Sequence, residues 1–163
     1  MHLPKFLQRC PLVGVRDWGT AYDWVPCPSC LSPAFDDQPQ ERHKVGFYEH
    51  WEIPLQNPGE PLQKNNCEFN EAIAFLSSCE TVVTNTYHGA YWATLLGKKV
   101  LVEPINSKLL NMKHQPRVIL NRDWKANQKY AVAYPEALAD CRAANISFSR
   151  RVSGLLLRIA KLS

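Results

Sequence analysis

The sequence lacks the features that mark membrane, secreted and nucleic-acid-binding proteins. No apolar run reaches the roughly 18–20 residues that a membrane-spanning helix needs. The N-terminal residues 1–17, MHLPKFLQRCPLVGVRD, have no continuous apolar core of the signal-peptide type. No run of Lys and Arg alternates with aromatic residues, and the net charge is only +4. We therefore expect a cytoplasmic protein with no membrane span and no nucleic-acid partner.

The composition also lacks the signs of disorder and of a repeat architecture. Only 21% of the 163 residues are charged, whereas 45% are apolar, which is enough to form a folded core. No internal repeat or low-complexity segment is evident. A chain of this length fits one ordinary domain, so we predict a single Rossmann-like α/β domain over residues 1–163.

A second cysteine pair is absent as well. The chain has 6 cysteines, of which Cys27 and Cys30 form a Cys-x-x-Cys motif. A structural zinc site needs four ligands, and His43 and His50 would be the further candidates, at a spacing that is not diagnostic. A redox Cys-x-x-Cys normally opens a helix, which the prolines around this motif disfavour. We expect structural thiols in a loop, no metal and no cofactor.

Apolar runs alternate with helical periodicities along the chain, which predicts a mostly parallel sheet flanked by helices. Strands are predicted at 11–17, 43–51, 81–85 and 98–104, and helices at 70–79, 87–97, 107–113, 134–144 and 150–161. The proline-rich residues 24–40 and residues 53–63 are predicted to be loops. We assign residues 145–163 to a C-terminal helical segment. Its apolar positions 152, 155, 156 and 159 form one stripe, which we expect to pack against another apolar surface.

Residues 81–104 form the clearest unit, in which a helix with short connections joins two strands. Such a unit places its strands side by side and parallel. Thr86 is the predicted N-cap of the helix and Gly97 is its C-terminal stop. The helix before this unit is predicted to be capped by Asn66, or by Asn70 if it starts later.

A polar cluster lies where the first strand of this unit becomes the helix. Its members are Asn85, Thr86, Tyr87, His88 and Gly89. Ligands of open parallel sheets bind outside the carboxyl ends of the strands. The first-turn amides and the His88 imidazole would hold an anion at the positive end of the helix, and Gly89 would let it approach closely. His88 also shares a helix face with Trp92, so a half-buried histidine that only packs is the alternative.

Three segments of the chain resemble the polysaccharide pyruvyl transferase family: VGVRD (13–17), ETVVTNTYHGAYWATLLGKKVLV (80–102) and, more loosely, WVPCPSCLSPAFD (24–36). The hallmark of that family is a strand, a polar turn with His-Gly, an Ala-rich helix, a glycine and a second strand. His88, Gly89 and Gly97 match that order. A second anchor is a strand that ends in Arg-Asp or Arg-Glu, matched here by Arg16 and Asp17.

The resemblance implies a function in exopolysaccharide biosynthesis. Family members have two Rossmann-type domains that face a cleft, in a GT-B-like arrangement, and this chain resembles the C-terminal half. They transfer the enolpyruvyl part of phosphoenolpyruvate to a pair of hydroxyls on a surface polysaccharide or glycan precursor. A separate protein that carries the N-terminal half would complete the cleft, and a homodimer is the other partner that we expect. Many members carry an arginine where this chain has Thr86, and Tyr87 or Lys108 would compensate for it.

The resemblance and the residue chemistry together suggest roles. Arg16 would bind the phosphate or carboxylate of the donor bidentately, with a salt bridge as the structural alternative. His88 would protonate the methylene carbon or the leaving phosphate. Asp17 would orient Arg16 or deprotonate a sugar hydroxyl, with capping as its alternative. The further substrate-binding candidates are Asn85, Thr86, Tyr87, Gly89, Ser107 and Lys108, and the aromatic residues that would stack on a sugar are Trp18, Tyr22 and Trp24.

Two other functions stay open at this point. A GT-B-type glycosyltransferase that uses a nucleotide sugar would need an acidic residue for the ribose, and Glu103 at a predicted strand end is the candidate. A non-catalytic glycan-binding or scaffold remnant would keep the fold and dimerise through its exposed interdomain face.

Overall fold

A parallel β-sheet organises residues 9–37 and 40–161, which are the part of the chain that this computed structural model describes. In chain order the strands are β1 (Gly14–Val15), β2 (Asp23–Trp24), β3 (His43–Glu49), β4 (Leu62–Lys64), β5 (Cys79–Thr84), β6 (Lys99–Val102) and β7 (Arg117–Val118). The α-helices are α1 (Phe69–Ser77), α2 (Tyr87–Leu95), α3 (Trp124–Asn127) and α4 (Ala137–Ala160). Five strands pair in the order β4-β3-β5-β6-β7, all parallel, with helices on the flanks. The α/β class with a mostly parallel sheet is therefore confirmed.

The unit β5-α2-β6 forms as the sequence predicts. The two strands are parallel neighbours, with Thr81 opposite Lys99 in the register. Thr86 is the N-cap of α2, because its hydroxyl oxygen accepts the Gly89 amide at 2.9 Å. Gly97 follows the helix with φ +69°, the left-handed conformation that a glycine adopts at low cost.

The first predicted strand, 11–17, does not join the main sheet. Only Gly14–Val15 is extended, and it pairs with β2 in a separate two-stranded sheet. The outer edge of β3 is occupied by β4, where Phe47 lies opposite Leu62. Two of the three residues of β4 belong to the segment 53–63, which was predicted to be a loop. The turn-forming residues of that segment masked the edge strand.

Two predicted helices differ from the structure, one in its N-cap and one in its type. α1 is capped by Glu68 and not by Asn66 or Asn70, because Glu68 and Glu71 form a reciprocal capping box. The segment predicted as a helix at 107–113 forms only a 3₁₀ turn over Ser107–Leu110.

The predicted helices 134–144 and 150–161 are one continuous helix, α4. No glycine or proline separates the two segments, so nothing in the chain stops the helix between them. Within its predicted apolar stripe, Leu156 and Ile159 remain 60% and 54% exposed. Residues 162–163, at the end of the predicted 145–163 segment, lie outside the described residues, as do residues 1–8 and 38–39. The rest of the proline-rich segment contains two 3₁₀ turns, Pro28–Leu31 and Pro33–Phe35.

Apolar side chains cover both faces of the main sheet. On one face, Val82 and Val100 pack with Leu76 of α1 and Ala93 of α2. On the other, a smaller cluster contains Phe47, Leu55, Val83, Leu101 and Ile119, with Trp124 of α3 packed against it. Among the described residues, no helix combines the length and apolar character needed to cross a membrane.

Candidate functional site

The first turn of α2 is built tightly against the end of β5. A Cβ added at Gly89 would come within 2.5 Å of the Thr84 and Thr86 hydroxyl oxygens and of the Tyr48 ring. The space that the sequence analysis reserved for a ligand at Gly89 is therefore filled by the protein's own side chains. The Gly89 amide is also taken, since it donates to Thr86.

Asn85 supports a neighbouring loop. It is 1% exposed, and its side-chain oxygen accepts the His50 amide at 2.8 Å while its nitrogen donates to the Ile53 carbonyl at 2.7 Å. The Asn85 side-chain amide is shielded from water, so its oxygen and its nitrogen each need a hydrogen-bond partner within the protein. Asn85 and Thr86, which were predicted to bind substrate, thus use their side chains in hydrogen bonds within the fold. The space beside Gly89 is filled by neighbouring side chains.

Arg16 lies against the first turn of α2 although β1 stands outside the main sheet. Its guanidinium carbon is 4.5 Å from the centre of the Tyr87 ring, within the range of a cation–π contact. Its Nη2 donates to Asp17 Oδ1 at 3.1 Å, and Asp17 Oδ2 accepts a bond from Asn111 at 3.4 Å. The Arg16 Nε atom is buried and has no hydrogen-bond partner.

A small cavity adjoins Arg16 and has a basic wall. At about 20 Å³ it has room for roughly one water molecule. Lys113 and His114 both contact the same carboxylate oxygen of Asp140 on α4, at 2.8 Å and 3.1 Å. The Lys113 ammonium and then His114 hold the pKa of Asp140 below its usual range. The cavity is lined by Arg16, Trp24, Pro26, Tyr87, Tyr91, Thr94, Leu95, Met112, Lys113, His114 and Cys141.

The aromatic residues that follow Arg16 and Asp17 form a small cluster. Trp18 and Trp24 meet edge to face, with ring centres 5.3 Å apart, and the Lys113 ammonium lies 5.1 Å and 4.9 Å from the two rings. Trp18 is 49% exposed. Tyr22 is half-buried, and its amide donates to the Thr20 hydroxyl. Of the three, Trp18 presents the most surface to a ligand.

His88 is exposed and stands beside a cysteine. Its ring stacks on Trp92, with ring centres 4.8 Å apart. Trp92 is therefore the packing partner that the sequence suggests, but His88 is exposed and not half-buried. Its Nε2 lies 3.7 Å from Cys27 Sγ. Ser29 Oγ donates to the same sulfur at 3.2 Å and accepts a bond from Trp92 Nε1 at 3.0 Å.

The environment of Cys27 favours its thiolate. Hydrogen bonding from His88 is the largest cause, and together with bonds from Ser29 it outweighs partial burial and lowers the pKa of Cys27 to about 7. Burial acts in the opposite direction on its motif partner and raises the pKa of Cys30. The two cysteines of the Cys-x-x-Cys motif therefore have different chemistry. From the sequence alone, a structural role is predicted for both.

The other predicted residues lie farther along the same sheet edge. Ser107 and Lys108 are exposed on the 3₁₀ turn after β6 and are not part of the cavity lining. Glu103 is buried, with Oε2 accepting the Gln56 amide at 3.2 Å and Oε1 without a partner. Its burial raises the pKa of Glu103.

Tyr87 thus contacts Arg16 on one side and His88 on another, and Asp17 joins this group through its bond to Arg16. Sequence reasoning missed Cys27 as the partner of His88, and it missed the Lys113, His114 and Asp140 group. The contacts of Cys27 with His88 and of His114 with Asp140 span 61 and 26 positions, so no local pattern signals them.

Comparison with known proteins adds no assignment: no family model, curated protein or solved structure matches this chain. Within residues 9–37 and 40–161, no three His, Cys, Asp or Glu side chains are grouped so that they could hold a metal ion.

Proposed function

We propose that this chain is the donor-binding half of a GT-B-like polysaccharide pyruvyl transferase. It would take the enolpyruvyl group from phosphoenolpyruvate and place it on two hydroxyls of a glycan. The observation that carries the proposal is Arg16, whose guanidinium lies over Tyr87 with Nε buried and unpaired. A buried N–H without an acceptor is costly, and a phosphate or carboxylate is the acceptor that a guanidinium matches best.

The charges around the cavity favour an anion. Lys113 adds a second cation to the lining, in which none of the described residues is Asp or Glu. Each of the two cations is paired with a carboxylate outside the lining, Arg16 with Asp17 and Lys113 with Asp140. Because the cavity is about 20 Å³, it would take the edge of an anionic group and not a whole donor molecule. The remainder of the donor would lie at the surface, toward His88.

His88 would carry the proton in the transfer. The first sugar oxygen would bond to C2 of the donor and lose its proton, while the methylene carbon receives a proton and becomes a methyl group. The second sugar oxygen would then replace phosphate at C2, and its proton would balance the departing phosphate. His88 is exposed in the first turn of α2, where its imidazole can accept a proton from a bound substrate or donate one to it.

Asp17 would orient Arg16 in this scheme. It already accepts a bond from Arg16 and another from Asn111, so the Asn111 bond fixes the carboxylate that holds the guanidinium. These contacts favour the orienting role over proton abstraction from a sugar hydroxyl.

Glu103 supports a second candidate, a glycosyltransferase that uses a nucleotide sugar. Its Oε1 is buried without a hydrogen-bond partner just after β6, and a ribose hydroxyl would satisfy it. The Gln56 loop covers this carboxylate, so the loop would have to move for the ribose to reach it.

Calorimetric titration with phosphoenolpyruvate tests the proposal on the chain as it stands, without the acceptor. We expect saturable binding that weakens at least about tenfold in Arg16→Ala, because a charge-assisted hydrogen bond contributes roughly 1.5–3 kcal/mol. Arg150→Ala is the matched control, since it removes an exposed arginine from α4 and should leave the affinity unchanged. His88→Ala should have a smaller effect on binding than Arg16→Ala.

Inorganic phosphate, pyruvate and a nucleotide sugar are the comparison ligands. Binding of the nucleotide sugar that is lost in Glu103→Gln, without binding of phosphoenolpyruvate, would replace the first candidate by the second. If none of these anions binds to the wild-type chain, the scaffold reading would be favoured and the transferase proposal rejected.

A further inference from the structure

One connected group of side chains contains Cys27, His88, Ser29 and Trp92. Of these, only His88 has a role in the proposed transfer reaction. The His88 imidazole lies 3.7 Å from the Cys27 sulfur on one side and stacks on Trp92 on the other. Trp92 Nε1 donates a hydrogen bond to Ser29 Oγ, and the Ser29 hydroxyl donates to the Cys27 sulfur. The imidazole orientation is therefore set by Trp92, and the sulfur has two polar neighbours aimed at it.

This geometry would allow the Cys27 thiol proton to pass to His88 Nε2. In the charged form, His88 Nε2–H would donate to the Cys27 thiolate, and the Ser29 hydroxyl would donate a second bond. His88 lies in the first turn of α2, a nine-residue helix, whose positive end favours a nearby anion. Other titratable or charged groups around this site are Arg16 and Asp17 near Tyr87, Tyr87 and Tyr91 on α2, Cys30 in the following turn, and Cys141 and Arg142 on α4.

Access distinguishes Cys27 from the other cysteine of its motif. Cys27 is half-buried beside an exposed histidine, whereas Cys30 is 0% exposed. Cys30 is also held from α4, because Asn145 donates to its sulfur at 3.4 Å. Cys27 is therefore the more accessible thiol of the two.

We propose that Cys27, activated by His88, is a covalent modification site for low-molecular-weight disulfides of the glutathione type. The Cys27 thiolate attacks one sulfur of the disulfide, so that one S–S bond forms as the other breaks. The departing thiolate leaves with the bonding electron pair and takes the proton that His88 holds. Oxidation state is conserved, since one disulfide is consumed and one mixed disulfide is produced.

The thiol is suited to this exchange at neutral pH. Attack on a disulfide is fastest when the pKa of the attacking thiol lies near the ambient pH, because a lower pKa reduces nucleophilicity and a higher one reduces the thiolate fraction. The pKa of Cys27, lowered to about 7 chiefly by His88, meets this condition. Since Cys30 is buried with a raised pKa, we expect the mixed disulfide to persist instead of resolving into a Cys27–Cys30 bond.

A group attached to Cys27 would stand directly against His88 Nε2. It would cover the Nε2 edge of the imidazole, so modification would alter any proton transfer through that nitrogen. The thiol chemistry itself requires neither phosphoenolpyruvate nor a sugar and holds whether or not the proposed transfer occurs.

Alkylation of the whole chain with iodoacetamide between pH 5 and pH 10, followed peptide by peptide by mass spectrometry, measures the proposed activation. We expect the Cys27 rate to rise with a midpoint near pH 7 and the midpoint to move up by at least about one pH unit in His88→Ala and His88→Gln. At pH 7 the thiolate fraction would fall from about one half to roughly 3% if Cys27 reverted to an ordinary thiol. Cys67, which is half-buried against the Tyr48 hydroxyl, serves as the internal reference.

Incubation with oxidised glutathione at pH 7 measures the proposed modification. We expect a glutathionyl adduct on the Cys27 peptide, faster than on the Cys67 peptide, reversed by dithiothreitol and absent in Cys27→Ser. The proposal is overturned if the Cys27 midpoint is that of an ordinary thiol in the wild-type chain, if the adduct forms no faster than on Cys67, or if a Cys27–Cys30 disulfide is the main product. None of these readouts depends on phosphoenolpyruvate binding, so this inference and the proposed function fail independently.

Discussion

At the residue scale, Gly89 determines how closely α2 can approach β5. The hydroxyl oxygens of Thr84 and Thr86 and the ring of Tyr48 converge on the position where a Cβ would stand. The two hydroxyls also contact each other at 3.2 Å, so they form a polar seam under the first turn of the helix. His88 owes its position to this packing, because it directly precedes the glycine.

We predict that Gly89→Ala lowers the free energy of unfolding by about 1–3 kcal/mol, the usual cost of overpacking, less the gain of up to about 1 kcal/mol from helix propensity. Urea denaturation followed by far-UV circular dichroism measures the change. Gly154→Ala is the matched control, because Gly154 lies within α4 with nothing within 4 Å of its added Cβ. That variant should be as stable as the wild type or more stable, and equal effects of the two substitutions would contradict the packing argument.

At the scale of elements, α4 joins the N-terminal segment to the sheet. Arg142 donates to the Cys30 and Ser32 carbonyl oxygens at 2.8 Å and 3.1 Å and to the Asp36 carboxylate at 2.6 Å. Near the start of the same helix, Asp140 binds Lys113 and His114. These two attachments connect α4 to the segment that follows Cys27 and to the basic wall of the cavity.

The Asp140 contact predicts a pH dependence of stability. The pKa of Asp140 is lowered in the folded state, mainly by Lys113, so its contribution is present above the unfolded-state pKa, about 3.9, and is lost as the pH falls through the lower folded-state value. We expect Asp140→Asn to be less stable than the wild type at pH 7, by up to about 1 kcal/mol because the carboxylate is partly exposed. The difference should shrink below about pH 4.

Urea denaturation at pH 7, pH 5 and pH 3.5 measures this difference. The exposed Asp37 offers the comparison variant Asp37→Asn, for which we expect little change at any of these pH values. A deficit in Asp140→Asn that stays constant down to pH 3.5 would show that the ion pair is not its cause.

At the scale of the whole molecule, the main sheet carries two apolar clusters of unequal size. Leu76 belongs to the larger cluster on the α1 and α2 face, and Leu101 belongs to the smaller one on the α3 face. Both side chains are 0% exposed. Neighbouring residues of one strand alternate between the clusters, as Val100 and Leu101 of β6 do, so the faces are coupled through the backbone of the sheet.

We therefore predict one cooperative unfolding transition for the chain. Leu76→Ala and Leu101→Ala should each lower the free energy of unfolding by about 2–5 kcal/mol, and in each variant tryptophan fluorescence and circular dichroism should give the same midpoint. Two separate transitions in either variant would contradict the prediction of a single domain over residues 1–163.

The β5-α2-β6 unit could be predicted because its signals are local. An apolar run, a capping threonine, helical periodicity and a terminal glycine all lie within the stretch that forms the unit, and each acts through the backbone of its own segment. The edge strand β4 and the separation of β1 from the main sheet could not be predicted. Which strand occupies a sheet edge depends on competition between distant segments, and β1 and β4 are only two and three residues long.

The sequence by itself determined the α/β class, the parallel central unit and the polar turn in which His88 begins a helix, because those depend on periodicity and on caps a few residues apart. Only the tertiary structure decided that Arg16 rests on Tyr87, that Lys113 and His114 share Asp140, and that Cys27 meets His88. Such contacts join side chains that are tens of positions apart. They exist because α4 and the N-terminal segment fold back over α2, and no local pattern in the chain encodes that packing.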